Sequence, residues 1–471
     1  MAVDRHGLEL TGPAGAVAAY DQAVACLLRF QPEVADAAAA AADGGCVMGR
    51  LLGAYLGLMS TEAGAVAAAR GALGRYAAPG AGDSDLTPRE RAHLAAARRW
   101  TGGDMAGAGV LLSGISVEYP RDLLALSAGH QIDFFRGDAV NLRDRIGRAL
   151  GAWDPAEPDS GFLYGMYAFG LEECNQYGQA ADAGWRAVDG NPDDVWGIHA
   201  VVHTCEMQGQ IPDGVRFMRA RRDRWSDGNF LSVHNSWHYA LYLLEGDDVP
   251  GALAEYDRFR HHSGSADVAL ELVDATALLW RLHLEGISAG PRWQPLAEAW
   301  SRVLTPGFYP FNDMHAIMAY LGHGDLGQAR AVVAALERAV AEGDNHTTGW
   351  SMTAAIGLPV CRSLLFFGTG RYQEALDELL PVRTRTRELG GSHAQRDAVE
   401  RTLLEAALRA GRRELATALV SERLANRERS MYAWSKRALL LSGAGAAPAA
   451  AAAGARQQEL AAGIRAAAAG R

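Results

Sequence analysis

Two short segments carry the side chains best suited to chemistry. The first reads Trp196-Gly197-Ile198-His199-Ala200-Val201-Val202-His203-Thr204-Cys205-Glu206, the second His234-Asn235-Ser236-Trp237-His238. On a helix turning about 100° per residue, Trp196, His199, His203 and Glu206 fall within an arc of roughly 80°, which is one face. His234 and His238, four apart, stack on one face in the same way. Imidazoles and carboxylates on neighbouring faces suit two chemistries. They ligate zinc or another borderline divalent ion, or they relay protons as general acid and base near neutral pH. The first segment is not the zinc-protease motif, because Ala200 stands where that motif needs a glutamate. A buried histidine can also serve the fold alone, by bonding a neighbouring carbonyl. Cys205 reads as a small core residue.

These faces need helices to hold them. Apolar residues recur at three- and four-residue spacing almost throughout, and period-two alternation is scarce. Gly137-Asp138, Asn191-Pro192, Gly246-Asp247, Gly324-Asp325 and Gly368-Thr369-Gly370 punctuate the pattern as helix stops and turns. Thr87-Pro88-Arg89-Glu90 has the form of a capping box. Residues 161–192 approximate the roughly 34-residue tetratricopeptide period. Tyr164 and Tyr167 lie on a first helix, Ala180, Gly184 and Ala187 permit close packing on a second, and Pro192 ends the unit. Partial repeats follow around Trp196, 241–256, 319–329 and 364–375. The expectation is an all-α, tetratricopeptide-type solenoid over residues 1–442, tightly curled around a concave pocket. Residues 443–471, alanine-rich with few large apolar side chains, are expected to form a mobile tail.

In this repeat class first helices line the concave groove, so two adjacent ones would present His199, His203, Glu206, His234 and His238 to one cavity. Glu172 on the preceding first helix joins them, with Trp196 as a wall. Asn312, Asp313 and His315 approach if the superhelix curls tightly. Ser392 caps a helix whose N-terminus, with Gln395, Arg396 and Asp397, suits an anion. The same residues equally make an ordinary cap with its charges paired to neighbours. His261-His262 reads as a surface helix end, and Arg219, Arg221, Arg222 and Arg224 as a solvated face.

The bulk composition narrows the partners. The 471 residues carry 45 Lys+Arg against 55 Asp+Glu, a formal charge of -10. That balance argues against a general nucleic-acid binder. The five cysteines, an odd number without CxxC spacing, suggest free thiols in a reducing compartment. No signal-peptide pattern and no uninterrupted apolar stretch of roughly 18 residues is evident, so no membrane partner is expected. There is no P-loop, no GxGxxG in strand–helix context and no GxSxG.

Taken in order, several segments carry a more specific likeness. These are 165–173, the two histidine segments, Phe311-Asn312-Asp313-Met314-His315 and Gly390-Gly391-Ser392-His393-Ala394-Gln395-Arg396-Asp397. Over residues 56–434 the chain resembles the tetratricopeptide repeat protein 38 family. The resemblance implies a helical-repeat fold and a cytoplasmic location, and it implies no reaction. His393 departs from the family pattern, which has asparagine there.

Two functions fit. One is a pocket lined by His and Glu that binds or transforms a small molecule with the help of a divalent metal such as zinc. In that reading His199, His203, Glu206 and His238 are reactive, and His199, His203, His234 and His238 hold the metal. Glu172, Trp196, His234, Asn312, Asp313, His315, Gln395, Arg396 and Asp397 contact the ligand. The other is a non-catalytic scaffold with a peptide or protein segment in its groove. Peptide clamps favour Asn, Lys and Arg. The first helices here carry His, Glu and aromatic residues, which favours the pocket.

Overall fold

The computed structural model describes residues 2–77, 83–157, 159–261 and 267–470. Part of the Gly/Pro-rich stretch 77–85 and the second histidine of His261-His262 lie outside them. Among the described residues the only strands are Ala2–Val3 and Glu9–Leu10, paired antiparallel. Everything else regular is helical, in successive antiparallel hairpins. The all-α, tetratricopeptide-like solenoid is the fold of this chain.

The punctuation residues do the work their chemistry allows. Gly137 and Gly324 take positive φ (63° and 89°), which closes the turn at no steric cost. The aspartate that follows each then caps the next helix: Asp138 accepts from the Asn141 amide and Asp325 from the Gln328 amide. At Gly246-Asp247 the roles shift by one residue. Asp247 itself is left-handed, at φ 59°, and Asp248 caps. The capping boxes at Thr87 and Ser392 are both formed. Ala180, Gly184 and Ala187 are buried, and a Cβ on Gly184 would meet Val201 at 3.1 Å, so the small residues set the helix spacing.

The superhelix closes on itself. Asn312 Nδ2 donates to Thr61 O (3.0 Å) and lies 3.2 Å from its hydroxyl. The Tyr309 hydroxyl donates to Phe135 O at 3.0 Å. The Thr348 amide donates to Gly103 O at 2.9 Å, and the Phe230 amide to Phe30 O at 2.8 Å. These bonds tie N-terminal hairpins to later ones. Among the described residues one helix, Thr348–Gly368, is long and apolar enough to cross a membrane by length and composition, but just over half of it is buried inside the fold.

Two expectations need correction. The tail is no mobile coil, because Ala447–Ala468 is a helix packed on the Met431–Gly443 and Ile211–Ala220 helices. Its alanines permit close approach, and Ala453, Ala461, Ile464 and Ala467 are buried. Arg465 donates to Gly246 O (2.8 Å) and Arg219 to Ala467 O (2.7 Å). The second correction is that the histidine faces do not line an open groove. His203 and His238 are 0% exposed.

Candidate functional site

Four helices build the site. Ser160–Glu173 brings Glu172, Val195–Met207 brings His199, His203 and Glu206, Ser232–Glu245 brings His234 and His238, and Ala269–Leu284 brings Asp274. The i,i+4 spacing places both histidine pairs on facing sides. One nitrogen from each of His199, His203, His234 and His238 lies within 4.8 Å of the others. Ring centroids are 4.4 Å apart for His199–His203 and for His203–His238. Phe169 and Trp237 close the sides: Phe169 lies 5.0 Å from the His203 ring, and Trp237 stacks on His234 at 5.3 Å.

The outer nitrogens face carboxylates. His234 Nδ1 is 2.7 Å from Asp274 Oδ2, and His238 Nδ1 is 3.2 Å from Glu206 Oε2. His203 Nδ1 is 3.6 Å from Glu172 Oε2, just beyond hydrogen-bond reach. An imidazole that donates from Nδ1 keeps its lone pair on Nε2. That lone pair points inward on His234 and His238. His234 Nε2 meets His199 Nε2 at 3.0 Å, whereas His199 Nδ1, both His203 nitrogens and His238 Nε2 have no partner. Buried polar groups are rarely left so. Burial pushes the imidazoles of His199 and His238 well below their ordinary range and that of His203 down to about 4. All three are neutral at pH 7, the form that ligates a metal. Burial, and then the neighbouring charge of Glu173, push Glu172 up to about 8. Burial also raises Glu206.

Other predicted residues take other places. Trp196 stacks on Phe30 with ring centroids 5.4 Å apart, and it edges His199 as a wall. Asn312 serves the closure at Thr61. Asp313 accepts from the Gly307 amide at 3.1 Å, and its burial pushes it up to about 8, so it holds a loop. His315 Nδ1 lies 2.7 Å from Phe311 O, outside the group of four. Gln395 completes its capping box and donates to Asp274 Oδ1 at 3.2 Å, so it supports the site one shell out. Arg396 pairs with Glu173 (2.8 Å) and Asp397 with Arg401 (2.7 Å), which is the ordinary capped helix. Glu172, Glu173 and His393 also cluster. Burial would raise Glu173, but His393 and Arg396 outweigh it and hold it at about 2, so this cluster is already neutralised internally. All five cysteines are free.

Sequence reasoning missed Asp274. Its signal was a lone acid inside the apolar run Leu272-Val273-Asp274-Ala275-Thr276-Ala277-Leu278, where only a buried partner explains a charge.

No protein-family profile matches this chain. Similar solved structures include a human IFIT1 dimer with PPP-AAAA, 12% identical, covering 80% of this chain and 92% of that one, at a TM-score of 0.35. Another is a monomeric IFIT1 mutant with Gppp-AAAA, 13% identical, covering 88% and 90%, at 0.40. Those two proteins hold PPP-AAAA and Gppp-AAAA. The exclusion of nucleic acid is therefore corrected. Overall charge does not report where charges gather, and here Arg281, Arg401, Arg427 and Arg429 line one cleft of an acidic chain.

Proposed function

We propose that this chain is a metal-binding helical-repeat protein. Its interior holds one divalent ion on His199, His203, His234 and His238 and exposes it to a small molecule from the Glu206 side. The observation that carries this reading is the pair of acids, Asp274 and Glu206, that stand within hydrogen-bond reach behind two of the four histidines, His234 and His238. Carboxylates so placed fix the tautomer and raise the basicity of a ligating imidazole. A purely structural histidine needs no such backing. The all-nitrogen set suits zinc, copper, nickel or ferrous iron rather than calcium or magnesium. Bound there, such an ion supplies Lewis acidity to an oxygen ligand. The order of the unusual motifs supports kinship with the tetratricopeptide repeat protein 38 family and a cytoplasmic location.

Elemental analysis of the untagged protein, followed by zinc titration of the EDTA-treated chain, tests the reading. About one equivalent of metal, lost in His203→Ala and His238→Ala variants that remain folded, is the expected result. Absence of stoichiometric metal together with no zinc uptake would refute it. A second reading, a non-catalytic binding scaffold, is favoured by the repeat fold, because curved arrays commonly present binding surfaces. It requires ligand binding that survives removal of the metal.

A further inference from the structure

On the solvent side of Glu206 lies a cleft whose other charged residues take no part in holding the metal. Helix Ala269–Leu284 contributes Arg281 and helix His393–Arg409 contributes Asp397 and Arg401. The loop before helix Met431–Gly443 contributes Arg427 and Arg429. The cleft holds about 40 Å³, room for roughly three waters or one small oxyanion.

Four guanidinium groups line it against three carboxylates, and each carboxylate is already engaged. Asp397 is taken by Arg401 (2.7 Å) and Arg423 (2.5 Å). Glu245 accepts from Arg401 at 2.9 Å and from the Met431 amide at 2.8 Å. Glu206 faces His238. Three arginines lack a close carboxylate of their own. Arg281, 2% exposed, donates only to the carbonyls of Ala277 (2.7 Å) and Ala394 (2.6 Å) and stands 3.9 Å from Asp397. Arg427 is 3.6 Å from Asp397. Arg429 has no carboxylate partner among the described residues. Gly209, at φ 66°, lets it lie across the cleft, since a Cβ there would meet Arg429 Cβ at 2.6 Å. Four guanidinium groups against three carboxylates leave the cleft with a surplus of positive charge that an anion would balance. Guanidinium forks match a phosphate in geometry and charge.

We propose that this cleft binds a small phosphate-bearing molecule through Arg281, Arg427 and Arg429. Bound phosphate sits beside Glu206, one hydrogen bond away from His238. The inference rests on the arginines alone and not on the metal.

Calorimetric titration of the full-length, EDTA-treated chain with inorganic phosphate at low salt tests it. Saturable one-site binding is expected. Arg429→Ala, at an exposed position, should weaken it by about tenfold or more while leaving the melting temperature unchanged, and Arg427→Gln should act likewise. No saturable binding up to about 10 mM phosphate, or full affinity in Arg429→Ala, would overturn the proposal. A 5′-triphosphorylated tetranucleotide is the second arm. Competition by inorganic phosphate supports the proposal. Oligonucleotide binding that inorganic phosphate neither shares nor competes with overturns it in favour of a nucleic-acid site. Repeating the titration on zinc-loaded protein separates this result from the metal reading, since phosphate binding is expected in both forms.

Discussion

At the scale of single residues, the behaviour of the histidines turns on the acids behind them. Asp274 orients His234, and Asp274→Asn removes the acceptor charge while keeping the shape. Zinc affinity should fall by about 10–100-fold with the fold intact, as measured by competition with a chromophoric chelator. An unchanged affinity would make Asp274 a merely structural partner. The same neighbourhood sets a pH dependence. Glu172 and Asp313 are raised to about 8, so the stability they contribute is complete below about pH 4 and is lost as pH rises through 8. His203 is depressed to about 4, so its contribution is present above about 6.5 and is lost as pH falls through 4. The two trends oppose each other between about pH 4 and 6.5, and only the carboxyl groups act above that. The melting temperature of EDTA-treated protein should therefore decline from about pH 6.5 to 8.5. Glu172→Gln should flatten the decline. The same slope in wild type and variant would show that Glu172 does not keep its proton.

At the scale of elements, the site depends on how closely helices approach. Gly170 sits two residues before Glu172, and a Cβ there would meet the Arg143 backbone, Cα at 2.5 Å and N at 2.7 Å. Backbone cannot rotate aside as a side chain can. Gly170→Ala should cost about 1–3 kcal/mol in chemical denaturation and shift the helix that carries Glu172. A loss within about 0.5 kcal/mol would mean that the two helices slide freely. The C-terminal helix makes a different test. Its buried Ile464 and Ala467, with the Arg465 and Arg219 bonds to main-chain carbonyls, tie it to the solenoid. Removing residues 447–471 should lower the melting temperature by a few degrees. No change would return the segment to the status of a loose tail.

At the scale of the whole molecule, closure matters more than curvature. Asn312 joins a hairpin in the second half of the chain to Thr61 in the first, and Asn312→Ala leaves a buried carbonyl and hydroxyl unpaired. It should cost about 1–3 kcal/mol without altering zinc affinity. A parallel loss of metal binding would show that closure and site are one cooperative unit.

Much of this was written in local pattern. Helical period, Gly-Asp turns, Thr87 and Ser392 caps and the small residues of 161–192 depend on neighbours within a turn or two, so one chain suffices to see them. The two i,i+4 histidine pairs belong to that class, and their convergence followed from placing both on adjacent first helices. What depended on distant residues was not legible. Asp274 reaches His234 from 40 residues away, and Asn312 reaches Thr61 across 251. The tail's alanines bury themselves only because Gly246 and the Ile211–Ala220 helix offer a surface that small side chains fit. Net charge is blind to the cleft for the same reason. It sums over the surface, whereas the arginines that face the cleft are brought together by packing of helices far apart in the chain.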